Sequence, residues 1–253
     1  MSEALLSARD LRKTFGGVHA VDGVSLEIRP REMVALIGPN GAGKTTFYNM
    51  LSGRMKPTSG RVHFRGRDIT GMPPHAISRL GISRSFQINN IFGELTVRQN
   101  VEVALTALHR RTFRMFRPAS RDRQLLQEAD AVLERLGLRE LADTRAGVLS
   151  YGDKRLLEIA IVLATRPTMV LLDEPTAGMT PEETRRVTRL IRGLAETGEY
   201  TFLITEHDMD VVFDLAERIV VMHRGGLLAE GTPEEIRSNP AVREAYLGEE
   251  ESA

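Results

Sequence analysis

Short apolar runs mark the expected strands in the first and last thirds of the chain. Residues 33–37 and 169–172 are continuous apolar runs, which is typical of parallel strands buried on both faces. Residues 219–222 repeat this pattern, residues 201–205 are another candidate strand, and a helix is predicted at 181–196. The alternation of strands and helices predicts an α/β fold with a parallel sheet.

The pattern differs in the first 30 residues and in the middle of the chain. Residues 5–11 and 24–28 are candidate strands separated by glycine-containing turns. From residue 96 to 137, apolar residues recur at helical spacing, as at Val97, Val101 and Ala104. We therefore predict a helical subdomain at 90–165, inserted between core segments 1–89 and 166–253 of a single domain.

Composition excludes several classes of site. Lys plus Arg and Asp plus Glu each number 34 in 253 residues, so the net charge is zero and we expect no nucleic-acid partner. Cysteine is absent, which excludes disulfides and thiolate chemistry. Neither a signal-peptide pattern nor an apolar run of about 18 residues is found. We expect a chain in the cytoplasm, whose membrane span, if it needs one, comes from another subunit.

A glycine-rich loop follows the first apolar run. Its sequence is Gly38-Pro39-Asn40-Gly41-Ala42-Gly43-Lys44-Thr45, which fits G-x-x-x-x-G-K-S/T between a strand and a helix. Backbone N–H groups of such a loop wrap a triphosphate, and the following helix N-terminus favours its negative charge. We expect Lys44 to reach the β- and γ-phosphates, Thr45 to hold Mg²⁺ and Thr46 to join the nucleotide-binding residues.

Two carboxylates end the apolar run at 169–172. Asp173 and Glu174 should lie at the carboxyl end of a strand, where ligands bind in sheets of this type. Asp173 is a candidate Mg²⁺ ligand, and Glu174 is a candidate general base for the water that attacks the γ-phosphate. Together with the phosphate loop they predict an ATP-hydrolysing site.

A third motif narrows the family. Residues Leu149-Ser150-Tyr151-Gly152-Asp153 resemble the L-S-G-G-Q signature of ATP-binding cassette (ABC) proteins, and the order of all motifs matches that family. The resemblance covers essentially the whole chain. It implies a P-loop NTPase (RecA-like) α/β core, an N-terminal antiparallel β subdomain and an inserted helical subdomain.

The resemblance also implies further site residues. Phe15 would stack on adenine, Gln87 would contact Mg²⁺ and sense the membrane partner, and His207 would contact the γ-phosphate. Ser150 and Gly152 would bind the γ-phosphate held by a second cassette in a head-to-tail dimer. Each has a plainer alternative: Phe15 as core packing, Gln87 as a surface amide, His207 as a structural histidine, and Ser150 and Gly152 as a helix N-cap and a turn.

Departures from the usual motifs leave the signalling between subunits open. Tyr151 and Asp153 replace the commonest signature residues, and residues 177–180 lack the aspartate often found in the cross-dimer loop.

The variants at Arg84-Ser85-Phe86-Gln87, Tyr151-Gly152-Asp153 and the Gly231–Ile236 segment resemble the larger cassette of branched-chain amino acid importers. This implies a peripheral subunit on the cytoplasmic face of the membrane, with a second cassette, two permeases and indirectly an extracytoplasmic binding protein as partners. Urea, amide or lipopolysaccharide transport, and a non-transport ATPase such as an iron–sulfur assembly factor, remain alternatives. The arginine-rich stretch at 109–123 is either a solvated loop or a contact with anionic lipid.

Overall fold

The computed structural model describes residues 4–85, 91–109 and 123–250, with side chains as far as 246. Gln87 and nearly all of the arginine-rich stretch therefore lie outside the described residues. The strands are β1 (Leu6–Phe15), β2 (Val18–Ile28), β3 (Met33–Ile37), β4 (Ser59–Phe64), β5 (Arg67–Asp68), β6 (Ile82–Arg84), β7 (Met169–Asp173), β8 (Thr201–Thr205), β9 (Arg218–His223) and β10 (Gly226–Gly231). The helices are α1 (Lys44–Leu51), α2 (Pro74–Leu80), α3 (Val97–Leu108), α4 (Arg123–Arg135), α5 (Tyr151–Ala164), α6 (Pro181–Glu196), α7 (Met209–Leu215), α8 (Pro233–Ser238) and α9 (Pro240–Glu250).

Two sheets carry the fold. The first is antiparallel, in the order β2-β1-β4-β5, and the second has the order β10-β9-β3-β8-β7-β6. Within the second sheet every pair is parallel except β9 with β10. The predicted α/β class, with an antiparallel β part near the N-terminus, is confirmed.

The alternation of side chains along β3 explains why this strand is apolar throughout. Val34 and Leu36 pack toward the antiparallel sheet and α1, whereas Met33, Ala35 and Ile37 pack toward the helical layer formed mainly by α5, α6 and α7. A strand covered on both faces has no solvent side, so a polar residue would be buried at every position.

The middle of the chain is helical in its described part. Helix α3 packs against α4 and α5, and their apolar faces join the larger of the two hydrophobic clusters. Thr96 begins α3 with a reciprocal cap, in which its side chain and that of Gln99 each accept from the other's backbone amide. The division at 89/90 and 165/166 stays a prediction, since residues 86–90 lie outside the described ranges.

Several element bounds differ from the sequence prediction. Strands β1 and β2 are longer than predicted, because they pair along their length and leave polar residues on the exposed side. The short elements α2, β5 and β6, and everything from β10 onward, were not predicted as elements. Among the described residues no helix is both long enough and apolar enough to cross a membrane.

Candidate functional site

The strand order brings three loops to one edge of the parallel sheet. Strand β8 lies between β3 and β7, with Thr205 opposite both Leu36 and Asp173. The phosphate loop follows β3, Glu174 follows β7, and Glu206 and His207 follow β8. Residues that are far apart in the sequence therefore share the carboxyl edge of the sheet, where ligands bind in this fold class.

The phosphate loop is shaped by glycines that no other residue could replace. A Cβ on Gly38 would lie 2.1 Å from the carbonyl oxygen of Met222, and a Cβ on Gly43 would lie 2.2 Å from that of Ala20. Gly43 also has a φ of 95° and stands immediately before α1. The loop is thus packed tightly on its inner side, whereas Asn40, Gly41 and Thr45 are exposed on its outer side.

Lys44 is folded onto its own loop. It is 8% exposed, and its Nζ donates to the carbonyl oxygens of Gly38 and Pro39, the latter at 2.9 Å. Carbonyl oxygens are weaker partners for an ammonium group than phosphate oxygens. A phosphate bound in the loop would therefore be a stronger partner for the ammonium group than these carbonyls.

Asp173 is fixed by two neighbours. Its Oδ1 accepts from the hydroxyl of Thr205 at 2.7 Å, and its Oδ2 accepts from Nη2 of the buried Arg84 at 2.6 Å. Arg84 also donates to Oδ1 of Asn49 in α1 at 2.6 Å and stacks over Tyr48. Sequence analysis placed Arg84 in a motif but missed its contact with Asp173, which depends on β6 lying beside β7.

Glu174 has an unusual backbone conformation and a defined partner. Its φ is +47°, in the left-handed region that non-glycine residues seldom adopt. Its amide donates to the carbonyl of Thr205 at 2.9 Å, and its Oε1 lies 3.0 Å from Nε2 of His207. The structure thus brings together two of the predicted catalytic residues, Glu174 and His207.

A buried carboxylate next to His207 was not singled out from the sequence. Glu206 is 4% exposed, and its Oε1 accepts from both the amide and the hydroxyl of Thr176 at 2.7 Å. Burial raises the pKa of Glu206, although the hydrogen bonds from Thr176 and His207 act in the opposite direction. A charged residue directly after the short strand β8, whose centre is apolar, was the available signal for it.

The signature segment forms the start of α5. Ser150 is the N-cap, as its sequence position suggested, and its Oγ accepts from the amide of Asp153 at 3.1 Å. The amide of Gly152 donates to Glu183 in α6 at 3.0 Å, and Asp153 pairs with Arg186 at 2.8 Å. Asp153, one of the departures from the usual signature, therefore joins α5 to α6.

Thr180 is the departure in the segment before α6. Its hydroxyl accepts from the amide of Glu183, and the Glu183 carboxylate accepts from the amide of Thr180 at 3.0 Å. Threonine thus satisfies the start of α6 as a helix cap. The cap is a local structural reason for a threonine at this position.

Phe15 lies at the end of β1 and is 46% exposed. The alternative that it is a core residue is therefore wrong, because nearly half of its surface is accessible. Lys13 places its Nζ 5.2 Å from the centre of the ring.

The oxygens at the sheet edge suit Mg²⁺. The Thr45 hydroxyl and the Asp173 carboxylate are hard oxygen donors, and Mg²⁺ is commonly held by one or two protein groups together with substrate phosphates. Within the described ranges no cluster of three or more histidines and carboxylates could hold a metal alone. The residues therefore fit an ion that arrives with a nucleotide, where it would neutralise phosphate charge.

Comparison with known proteins decides the family. Residues 21–177 match the family described as ABC transporter. The chain belongs to the ABC transporter family. The predicted P-loop ATPase cassette, which binds and hydrolyses nucleotide in a transporter, is confirmed at this level.

The similarity to a curated relative extends over nearly the whole chain. It is 47% identical to the high-affinity branched-chain amino acid transport ATP-binding protein LivG of Salmonella typhimurium, over 98% of this chain and 100% of that protein. Residues 227–252 match the family described as branched-chain amino acid ATP-binding cassette transporter.

Solved cassettes have the same fold. The ADP conformation of MJ1267, an ATP-binding cassette of an ABC transporter, superposes with a TM-score of 0.87 at 34% identity, covering 98% of this chain and 100% of that one. A dimeric post-hydrolysis state of the cassette MJ0796 with ADP and Pi gives a TM-score of 0.76 at 25% identity, covering 90% and 98%.

Proposed function

We propose that this cassette hydrolyses ATP to drive an importer of branched-chain amino acids. The observation that carries the substrate class is the match of residues 227–252 to the branched-chain amino acid cassette family. This segment contains most of β10 and the helices α8 and α9, and it follows residues 21–177, which match the general ABC transporter family. The full-length similarity to LivG supports the same substrate.

Nucleotide binding falls to the loop after β3. The amides of the Gly38–Thr45 loop and of Thr46 would surround the phosphates, Lys44 would pair with the β- and γ-phosphates, and Phe15 would stack on the base. Thr45 and Asp173 would hold Mg²⁺, with Gln87 as a further ligand. The exposed outer side of the loop supports this arrangement, because a nucleotide can reach it without any change in the packed inner side.

Hydrolysis falls to the edge formed by β7 and β8. Glu174 would take the proton of the attacking water as it adds to the γ-phosphate, and the water oxygen would bond to phosphorus as ADP leaves. His207 would hold Glu174 in position through their 3.0 Å contact and would contact the γ-phosphate. Lys44 would stabilise the charge that develops on the transferred phosphoryl group.

The site would be completed by a second cassette. Ser150 and Gly152 stand at the N-terminus of α5, where the helix dipole favours an anion, and the amide of Gly152 would exchange Glu183 for the phosphate. A head-to-tail dimer would place them on the γ-phosphate of the partner's ATP, and the dimeric structure of MJ0796 supports the pairing of two cassettes. Two permeases and an extracytoplasmic solute-binding protein would complete the importer, with the cassette at the cytoplasmic face of the membrane.

Reconstitution tests the transport assignment. The chain should be co-expressed with the permease and binding-protein genes that neighbour its coding sequence, and the complex placed in vesicles. We expect ATP-dependent uptake of labelled leucine, isoleucine or valine, and loss of that uptake in the Glu174→Gln complex. Uptake of urea or a short amide alone would overturn the substrate, and isolation only with cytosolic proteins would overturn transport.

A further inference from the structure

An arginine of the signature helix α5 forms hydrogen bonds with the backbone of the turn that carries Glu174. Arg155 lies on α5 and is 4% exposed. Its guanidinium donates to three successive backbone carbonyls, from Nη2 to Asp173 at 2.9 Å, from Nη2 to Glu174, and from Nε to Pro175 at 3.1 Å. One side chain thus binds the backbone on both sides of Glu174.

The turn at Glu174 has a backbone conformation that needs to be held by its surroundings. Glu174 has a φ of +47°, which costs free energy for a residue with a Cβ and persists only when its surroundings hold it. The amide of Glu174 is held from β8 by Thr205 at 2.9 Å, and the carbonyl side is held from α5 by Arg155. The direction of the Glu174 side chain is therefore set jointly by a strand and by the signature helix.

Arg155 is itself held in one orientation by a buried partner. Its Nη1 donates to Oε2 of Glu158 at 2.6 Å, and Glu158 is 3% exposed. The other oxygen, Oε1, has no hydrogen-bond partner within the part of the chain that the structure describes. A buried ion pair with an unsatisfied oxygen is weak evidence for stabilisation of the fold alone, so a role at the turn is the better reason for the pair.

We propose that Arg155 is a positioning residue for ATP hydrolysis, which links the signature helix α5 to the orientation of Glu174. The proposal rests on the proposed function, in which Glu174 is the general base. The same helix begins with Ser150 and Gly152, the residues assigned to the partner's phosphate. A shift of α5 on contact with that phosphate would be transmitted through Arg155 to the base of the chain's own site.

The first test separates turnover from binding. Arg155→Lys keeps the charge but loses the planar fork that reaches several carbonyls. We expect kcat to fall between about 10- and 100-fold, as for a modest displacement of a catalytic group, with the KM for ATP unchanged. Parental kcat in this variant would overturn the proposal.

Arg218→Lys is a matched control. Arg218 also makes a fork with a partly buried carboxylate, that of Glu32, and donates to a backbone carbonyl, that of Glu27 at 2.7 Å. It begins β9 at the opposite edge of the sheet from the site. We expect it to lower the melting temperature without changing kcat. An equal loss of kcat in both lysine variants would reduce Arg155 to a general structural role and overturn the proposal.

The second test asks whether Arg155 acts through Glu174. In the Glu174→Gln background, single-turnover hydrolysis of labelled ATP should show no further loss when Arg155→Lys is added. An equal fractional loss in both backgrounds would overturn the link. The proposed function fails differently: hydrolysis at the parental rate in Glu174→Gln alone would remove the base itself, whatever Arg155 does.

A third measurement does not depend on turnover. Hydrogen exchange of the backbone amides of Glu174, Thr176 and Ala177 should be faster in Arg155→Lys by about tenfold or more, whereas exchange in β3 should stay unchanged. Unchanged exchange at 174–177 would show that the turn does not need the guanidinium, and would overturn the proposal even in a preparation with little ATPase activity.

Discussion

Nε2 of His207 lies 3.0 Å from Oε1 of Glu174. The two residues follow adjacent parallel strands, β8 and β7, so the contact is fixed by the sheet rather than by a flexible loop. In the proposed function, this contact keeps the general base Glu174 in position, and His207 itself contacts the γ-phosphate.

His207→Ala should therefore lower kcat for ATP hydrolysis by between about 10- and 100-fold, because the base loses its orienting partner. Steady-state phosphate release at saturating Mg-ATP measures this effect. His75→Ala is a suitable control, because His75 is exposed on α2. Parental activity in His207→Ala would mean that Glu174 needs no partner for its orientation.

Removal of the Lys44 ammonium should weaken nucleotide binding. In Lys44→Met the phosphates lose a charge-assisted hydrogen bond worth about 1.5–3 kcal/mol, so we expect the Kd for Mg-ATP to rise by roughly 10- to 100-fold. Isothermal titration calorimetry measures this change, with Lys56→Met as the control outside the loop. If Kd stays within about twofold of the parental value, the phosphate loop has been assigned wrongly.

Glu206 should make stability depend on pH. Burial raises its pKa in the folded state above the ordinary value that it has in the unfolded chain. Folding thus favours the protonated carboxyl, so the contribution of Glu206 to stability is fully present below the unfolded pKa. It falls as pH rises through the window between the two values, by about 1.4 kcal/mol for each unit that separates them.

Urea denaturation at several values between about pH 4 and pH 8 tests this prediction. The free energy of unfolding of the parent, taken relative to Glu206→Gln, should decrease with rising pH and then become constant. A difference between the two proteins that does not vary with pH would show that Glu206 does not titrate in this range.

Local sequence signals predicted the strands and helices that frame the site. Strand β3 is apolar because both of its faces are covered, and α6 begins with Pro181 after a capping threonine, so both are legible from the sequence. Strand β6 was missed because its three residues include Ser83 and Arg84, and only pairing with β7 makes it a strand. Helix α8 was not predicted either, although the capping pair of Thr232 and Glu235 was a sequence signal for its start.

The residues of the site also fall into those that local sequence signals predicted and those that depend on contacts between distant elements. Residue types and spacing predicted the phosphate loop, Asp173 and Glu174, and the resemblance to ABC proteins added His207. The contacts of Arg84, Arg155 and Glu206 could not be predicted, since each joins elements that are far apart in the sequence. A charged side chain on a buried helix face, as at Arg155, is a sign of a partner but does not identify it.

The central claim is that Glu174 is the general base of an ATP-hydrolysing cassette. Glu174→Gln preserves the size of the side chain and one acceptor oxygen but removes the basic carboxylate, while Lys44 and the phosphate loop stay intact. Hydrolysis should slow by about 10²- to 10⁴-fold, and Mg-ATP affinity should remain.

The most direct measurement is single-turnover hydrolysis of labelled ATP by the purified chain, combined with light scattering to determine its mass. We predict that Glu174→Gln retains uncleaved ATP and accumulates as a dimer, with Asp210→Asn, on α7, as a carboxylate control that behaves like the parent. Hydrolysis by Glu174→Gln at the parental rate would contradict the account.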